Sequence, residues 1–526
     1  MQKRITVEQL RGQVAQLCRA GQLVRAVELL TALAGKGVWD YGCLHTVLDV
    51  ALAKDSASLV KPLVDRVIKH RSGEWQGWEL RYKLFRASAR WSDALVALNK
   101  IEKLSPASMA WVWLAKAEAL ERLLRPEEAM QALDHQAELE AVSGNSRHWY
   151  LRATVLLQLK DRQAVIETIE PVLQSLPEDQ YVASAWKVVG KALDALGRYE
   201  EAFAAFKRAN SILAKTQNIA ENPLRRRIEV YRSLYDKEWV AQWEHYFTDN
   251  EPVFLVGFPR SGTTLLEQVL DAHAGIQALE EPPTTARVMQ ALIPWLNASA
   301  IKDGAMNESQ GWKEQWLAGF RYMSNLPESQ IKALRSTYFQ VVSERLRRDK
   351  RKLLIDKMPL NSVEIGLILR LFPKAKFIVA VRHPCDSVLS GYMQSFQMNE
   401  SMANFVDLEA AATFYRNVMS LLWQYEDVFA LSERMHTIRY EDVVADLGAE
   451  AKKILSFLGL PWDDAVLDFD LHAKQRKTLA TPSYGGVTQK IYTDSVGRWR
   501  HYAPWLEPVL PQFKAAAERY GYDLSV

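Results

Sequence analysis

The chain has 526 residues, 48% hydrophobic and 25% charged, too many for one hydrophobic core, so at least two domains of a globular protein are predicted. With 66 Lys and Arg against 63 Asp and Glu the net charge is +3, which excludes any global attraction to nucleic acid or an anionic membrane and makes any basic site local. No uncharged run reaches the roughly 20 residues of a membrane span, Met1 to Glu8 has no signal-like apolar core, and Cys18, Cys43 and Cys385 are too scattered for a disulfide framework; a cytoplasmic protein with reduced thiols is expected.

From the start to about residue 215 the sequence repeats. Ala26, Ala94, Ala129 and Ala202 occupy one small-residue position, preceded by Leu10, Trp78, Trp113 and Trp186, then by Val14, Tyr82, Ala117 and Gly190, and followed by Leu30, Leu98, Leu133 and Phe206. Weaker copies around Leu44 to Val64 and Trp149 to Ile169 complete six units, spaced 34, 34, 35, 36 and 37 residues apart. Pro106 and Pro177 fall where a helix should stop. The order of apolar, small and proline positions resembles the tetratricopeptide repeat family. That resemblance implies a helical solenoid whose concave surface recruits a protein or peptide partner; pairing of two chains into a homodimer stays open. The recurrent tryptophans are read as helix-packing residues.

Residues 216–250 read as a bridge of capping helices, in which Arg225, Arg226 and Arg227 either contact phosphate or form a solvated face. From 251 to 526 the pattern changes to short apolar runs, Val253 to Val256, Leu353 to Ile355, Phe377 to Val381 and Met435 to Arg439, separated by helix-like periodicity. This is the signature of a parallel sheet covered by helices. The expected architecture is therefore an all-α solenoid followed by a P-loop-like α/β domain.

The first run feeds Gly257-Phe258-Pro259-Arg260-Ser261-Gly262-Thr263-Thr264, a loop with phosphate-cradling spacing in which Thr263 stands where a nucleotide triphosphatase places lysine. Arg260 offers a fixed fork to an oxyanion instead, which disfavours ATP as the ligand. The next two runs end in Asp356-Lys357 and in Arg382-His383, so three loops bring cations to one sheet edge. Ser390 lies on a helix facing back toward Arg382 and suits a second phosphate.

The first loop resembles the 5′-phosphosulfate motif, and the segment Phe377 to Ser390 the 3′-phosphate motif, of sulfotransferases that use 3′-phosphoadenosine 5′-phosphosulfate; the tyrosylprotein sulfotransferases are the nearest branch. The resemblance implies that Arg260, Ser261, Gly262, Thr263 and Thr264 hold the phosphosulfate, Arg382 and Ser390 the 3′-phosphate, and that Lys357 faces the bridging oxygen. It implies no metal. It assigns the general base to Glu281, with His273 as the nearby rival and Glu280 in an orienting or solvated role. It maps Ser483 and Arg498 onto a closing segment that contacts the transferring group and cofactor, and Tyr440 near the adenosine, with core packing as the plain alternative. The acceptor would be a hydroxyl on a protein or peptide, tyrosine included. A saccharide or small alcohol, or an interaction protein with an inactive domain, remain alternatives. The basic run Arg345 to Lys352 either attracts an acidic substrate or forms a solvated helix end.

Overall fold

The computed structural model describes residues 6–54, 56–215, 221–249, 251–307, 309–470 and 495–525. They fall into two units, one running to Arg198 and the other starting at Tyr199. The first is all helical and the second is built on a parallel sheet. No helix among the described residues is long and apolar enough to cross a membrane.

In the first unit the helices come in pairs, such as Val7–Arg19 with Leu23–Gly35, Trp75–Ala87 with Trp91–Leu104, and Ala110–Arg122 with Pro126–Leu139. The turn inside a pair uses a left-handed residue: Gly21, Ala89, Leu124, Lys160 and Gly197 have φ of 73°, 53°, 55°, 62° and 76°. The residue after each donates its N–H five positions back, Gln22 to Leu17, Arg90 to Phe85, Arg125 to Leu120, Asp161 to Leu156 and Arg198 to Leu193, at 2.8 to 3.0 Å. That bond satisfies a carbonyl orphaned at the helix end and fixes the reversal. Glycine takes the conformation freely, whereas at Ala89, Leu124 and Lys160 the Cβ raises the cost by about 1 kcal/mol. Ala26, Ala94 and Ala129 are fully buried, which lets neighbouring helices approach closely. Surface pairs such as Arg11 with Asp40 (3.0 Å) and Lys83 with Asp49 (3.1 Å) join successive helix pairs.

Among its described residues the second unit has five strands, β1 (Val253–Gly257), β2 (Ile276–Glu280), β3 (Leu353–Lys357), β4 (Lys376–Val381) and β5 (Met435–Arg439). Their order is β2-β3-β1-β4-β5 and every pairing is parallel. β1 is buried along its whole length. Phe254 lies among Tyr338, Phe372 and Phe377 on one face of the sheet, while Val253 and Leu255 join Leu266, Val269 and Ile276 in the core on the other. Each such side chain contributes about 1.5–3 kcal/mol by leaving water. β2 was not among the four strands expected from the sequence. It is an edge strand with Gln277 and Glu280 partly exposed, so it lacks the continuous apolar run of a buried parallel strand.

Because all strands run the same way, their carboxyl ends share one edge. The winding reverses at β1, with β3 on one side and β4 on the other, which is where open α/β sheets leave a crevice. The basic run Arg345 to Lys352 enters β3 from its amino end and lies at the opposite edge, away from that crevice. Arg351 there pairs with Asp349 at 2.7 Å, and Arg348 sits 4.7 Å from the Phe339 ring.

The segment before β1 is part of the second unit. In helix Tyr199–Ala214, Asn210 Nδ2 donates to the Tyr392 carbonyl at 3.0 Å and Phe203 stacks on Tyr392. In helix Pro223–Leu234, Arg227 Nε lies 3.1 Å from Glu364 Oε1, and the Tyr231 hydroxyl donates to Glu364 Oε2 at 3.1 Å. Arg225 donates to Asn404 Oδ1 at 2.5 Å and to the Ala410 carbonyl at 2.6 Å. The arginine run is thus neither a free phosphate site nor a solvated face: two of its three guanidinium groups satisfy acceptors that would otherwise be unpaired inside the fold.

Candidate active site

β1 ends on Gly257 because nothing larger fits: a Cβ there would stand 2.3 Å from the Ala380 carbonyl oxygen of β4. Ser362 Oγ donates to the Gly257 carbonyl at 3.1 Å. The chain then turns with Arg260 at φ 72° and Gly262 at φ 89° and enters helix Thr263–Asp271. A Cβ on Gly262 would meet Tyr440 Cδ2 at 2.5 Å, so the loop lies directly against that ring. No side chain caps the helix, and Ser261, Thr263 and Thr264 are buried at its start. Backbone N–H groups and the positive end of a helix, gathered around glycines that keep the cradle open, fit a phosphate-type anion. Arg260 Nε donates to Ser390 Oγ at 3.1 Å, joining this loop to helix Pro384–Met393 after β4.

Beside the loop, Lys357 closes β3. Its side chain and that of Glu267 are 0% exposed, while Glu281 is 39% exposed. Lys357 Nζ donates to Glu281 Oε1 at 3.0 Å and lies 3.4 Å from Glu267 Oε2. Burial works to lower the ammonium pKa, but the charges of Glu267, Glu281 and Glu280 prevail and hold it above its ordinary value. Glu281 follows β2 directly, and its N–H donates to the Lys357 carbonyl at 2.8 Å, extending the β2–β3 ladder by one residue. It does so with φ 43°, a conformation costly for any side-chain-bearing residue and one that concentrates at functional sites. The neighbouring Asp356 accepts from Thr284 Oγ1 at 2.7 Å and from the Tyr338 hydroxyl at 2.8 Å. Burial pushes its carboxyl up to about 6, against those donors and the charge of Lys357.

On the other side of β1, the Arg382 guanidinium lies 4.9 Å from the Tyr440 ring and donates to the carbonyls of Arg260 (3.2 Å) and Ser495. The Tyr440 hydroxyl shares a hydrogen bond with Ser495 Oγ at 2.8 Å. The Asp386 carboxylate accepts from Gly497 N at 2.8 Å and Trp499 N at 2.9 Å. Those bonds anchor the C-terminal segment, and with it the half-buried Arg498 at the start of the 3-10 helix Arg498–Tyr502, to the helix that carries Ser390. Ser483 lies outside the described residues.

His273 has both ring nitrogens engaged, Nδ1 accepting from Gly275 N at 2.9 Å and Nε2 donating to the Pro461 carbonyl at 2.9 Å. It is a buried structural residue below the loop helix.

Residues 252–464 match the sequence profile described as Sulfotransferase family. That stretch is a sulfotransferase-family domain. A protein-tyrosine sulfotransferase A of Caenorhabditis elegans is 24% identical over 281 residues, 52% of this chain and 67% of that one. An uncharacterised protein of Aquifex aeolicus is 27% identical over 361 residues, 67% of this chain; the chain spans 45% of that relative's length. Among solved structures, the sulfotransferase domain from the Synechococcus PCC 7002 olefin synthase covers 54% of this chain and 99% of its own at 22% identity, with a TM-score of 0.34.

The sulfotransferase-family domain brings Arg260, the Ser261 to Thr264 loop, Lys357, Glu281, Arg382, Ser390 and Tyr440 to one sheet edge. Glu267 was missed by the sequence reading. It stands four residues after Thr263 and three after Thr264, on the helix face shared with the end of the loop, and that spacing was the available signal. Asp386 was also missed as the anchor of the C-terminal segment; its bonds to Gly497 and Trp499 span more than one hundred residues and leave no local pattern.

Proposed function

We propose that the chain is a sulfotransferase that moves the sulfuryl group of 3′-phosphoadenosine 5′-phosphosulfate to an acceptor hydroxyl. The observation that carries this reading is the Lys357–Glu281 pair, 3.0 Å apart, beside an uncapped phosphate-type loop in a domain of that family. Attack in line at sulfur builds charge on the oxygen that bridges to phosphate, and a fixed ammonium there stabilises the transition state more than the ground state. Lys357 is that ammonium in this reading. Glu281, the accessible carboxylate of the cluster, takes the acceptor proton. Arg260 with residues 261–264 holds the phosphosulfate, Arg382 and Ser390 the 3′-phosphate, and Tyr440 stacks near the adenosine. Arg498 and Ser483 belong to the closing segment. His273 is not the base, since both its nitrogens already have partners.

The acceptor is a protein or peptide, tyrosine among its candidate groups, recruited in the cytoplasm by the helix pairs acting as a tetratricopeptide-type platform. The family membership of the domain and the likeness to a protein-tyrosine sulfotransferase support this choice. The test is incubation of the full chain with radiolabelled donor and a tyrosine-containing peptide library, followed by mass spectrometry of the products. Sulfated tyrosine is the expected outcome; label on a saccharide or small alcohol alone would move the acceptor class, and no transfer would remove the activity. Glu281→Ala is expected to lower turnover by about 10²–10⁴-fold while 3′-phosphoadenosine 5′-phosphate still binds. Full turnover in that variant rules out the base assignment.

A further inference from the structure

Glu267 is a carboxylate with no exposure, on the helix that follows the phosphate-type loop, 3.4 Å from the ammonium of Lys357. Its other carboxylate oxygen accepts from Gln268 Nε2 at 3.3 Å. Among the described residues the charged groups facing Lys357 come from two elements: Glu267 from this helix, and Glu281 and Glu280 from the end of β2. Asp356, on the lysine's own strand, alternates to the opposite face and is held there by Thr284 and Tyr338.

We propose that Glu267 is a positioning residue that keeps Lys357 charged and in place while sulfuryl transfer proceeds. This rests on the sulfotransferase reading above and extends it. In that reaction the acceptor O–H bond breaks and its proton goes to Glu281. An O–S bond forms, and the S–O bond to phosphate breaks with its electron pair left on the phosphate oxygen. At that moment Glu281 becomes neutral and its attraction to Lys357 is lost. The Lys357 ammonium then has one carboxylate fewer beside it, while burial works to lower its pKa. Glu267 lies beyond the reach of solvent, takes no part in the proton transfer, and stays 3.4 Å from the ammonium. The division of labour follows from exposure: the half-exposed carboxylate handles the proton and the buried one holds the cation.

A merely structural ion pair at this place would predict lost stability and nothing more. The distinguishing measurement is calorimetric binding of 3′-phosphoadenosine 5′-phosphate to the full chain between about pH 7 and pH 10, a readout that needs no acceptor. Wild-type affinity should stay level across most of that range. In Glu267→Gln it should match wild type within about threefold near pH 7 and then fall at least about one pH unit earlier, because Lys357 loses its proton sooner. An unchanged alkaline profile in Glu267→Gln, with wild type binding normally, overturns the proposal alone. Failure of wild type to bind at any pH overturns the sulfotransferase reading and this proposal with it. Should Glu267→Gln fail to fold, Glu267→Gln with Lys357→Met removes both charges together and is compared with Lys357→Met. The two should bind the nucleotide equally; a further loss of about tenfold in the double variant would mean that Glu267 acts otherwise than through Lys357, which also overturns the proposal.

Discussion

The two units use the same uncommon backbone conformation to different ends. In the helical array, left-handed residues close the turns within helix pairs, and Ala89, Leu124 and Lys160 serve there only as corners between two helices. In the sheet unit, the same conformation holds Arg260 and Glu281, whose side chains face the crevice. The units also treat charge differently. The array sets pairs such as Lys83 with Asp49 on its surface, whereas the sheet unit buries Lys357, Glu267 and Asp356 beneath the crevice.

Asp356 offers the largest test of that contrast. Its carboxyl, pushed up from 3.8 to about 6 by burial, binds protons more tightly folded than unfolded. Between those values the folded state carries the extra proton, so the contribution of this group to stability is greatest below about pH 4 and falls as pH rises toward 6. Asp356→Asn lacks this penalty. Its unfolding free energy relative to wild type should improve by on the order of 3 kcal/mol between about pH 4 and pH 7 in denaturant titrations. A difference independent of pH would show that Asp356 ionises as an ordinary surface acid does.

The next test strikes the loop. Gly262→Ala forces a methyl into the Tyr440 ring at a left-handed position, and is expected to weaken 3′-phosphoadenosine 5′-phosphate binding by about 10-fold or more with a cost of about 1–3 kcal/mol. Binding at wild-type strength would mean that the loop and Tyr440 do not form one cradle. The smallest effect belongs to the array, where Ala89→Gly relieves a left-handed corner between two helices. Its unfolding free energy should rise or hold, by at most about 1 kcal/mol, with turnover unchanged. Equivalent relief at Glu281 would instead remove the proposed base.

Much of this contrast could be read in the chain beforehand. β1 and its loop were visible because a central parallel strand is apolar throughout and its turn demands glycine at 257 and 262. Lys357 and Arg382 were visible because they end apolar runs. β2 was not, since an edge strand needs only one buried face. Glu267 was hidden among the leucines of its helix, and its role becomes apparent only when β3 brings Lys357 beside it. Helix Tyr199–Ala214 shows another limit. Its spacing identifies which residues are small, Ala202 and Ala209 among them, but not that Phe203 and Asn210 meet Tyr392. Spacing reports the shape of a helix surface, and the partner comes from the rest of the chain.

The inward ties of Arg227 to Glu364 and Asn210 to Tyr392 reach beyond anatomy. The family profile begins at residue 252, yet the body that must fold around the crevice begins about fifty residues earlier. A recombination event that exchanged helix arrays by cutting at residue 250 would leave Glu364 without its arginine and Tyr392 without its cover. The module that folds and the module that is recognisable therefore have different edges, and successful exchange of helix arrays between chains of this kind would be expected to cross near Arg198.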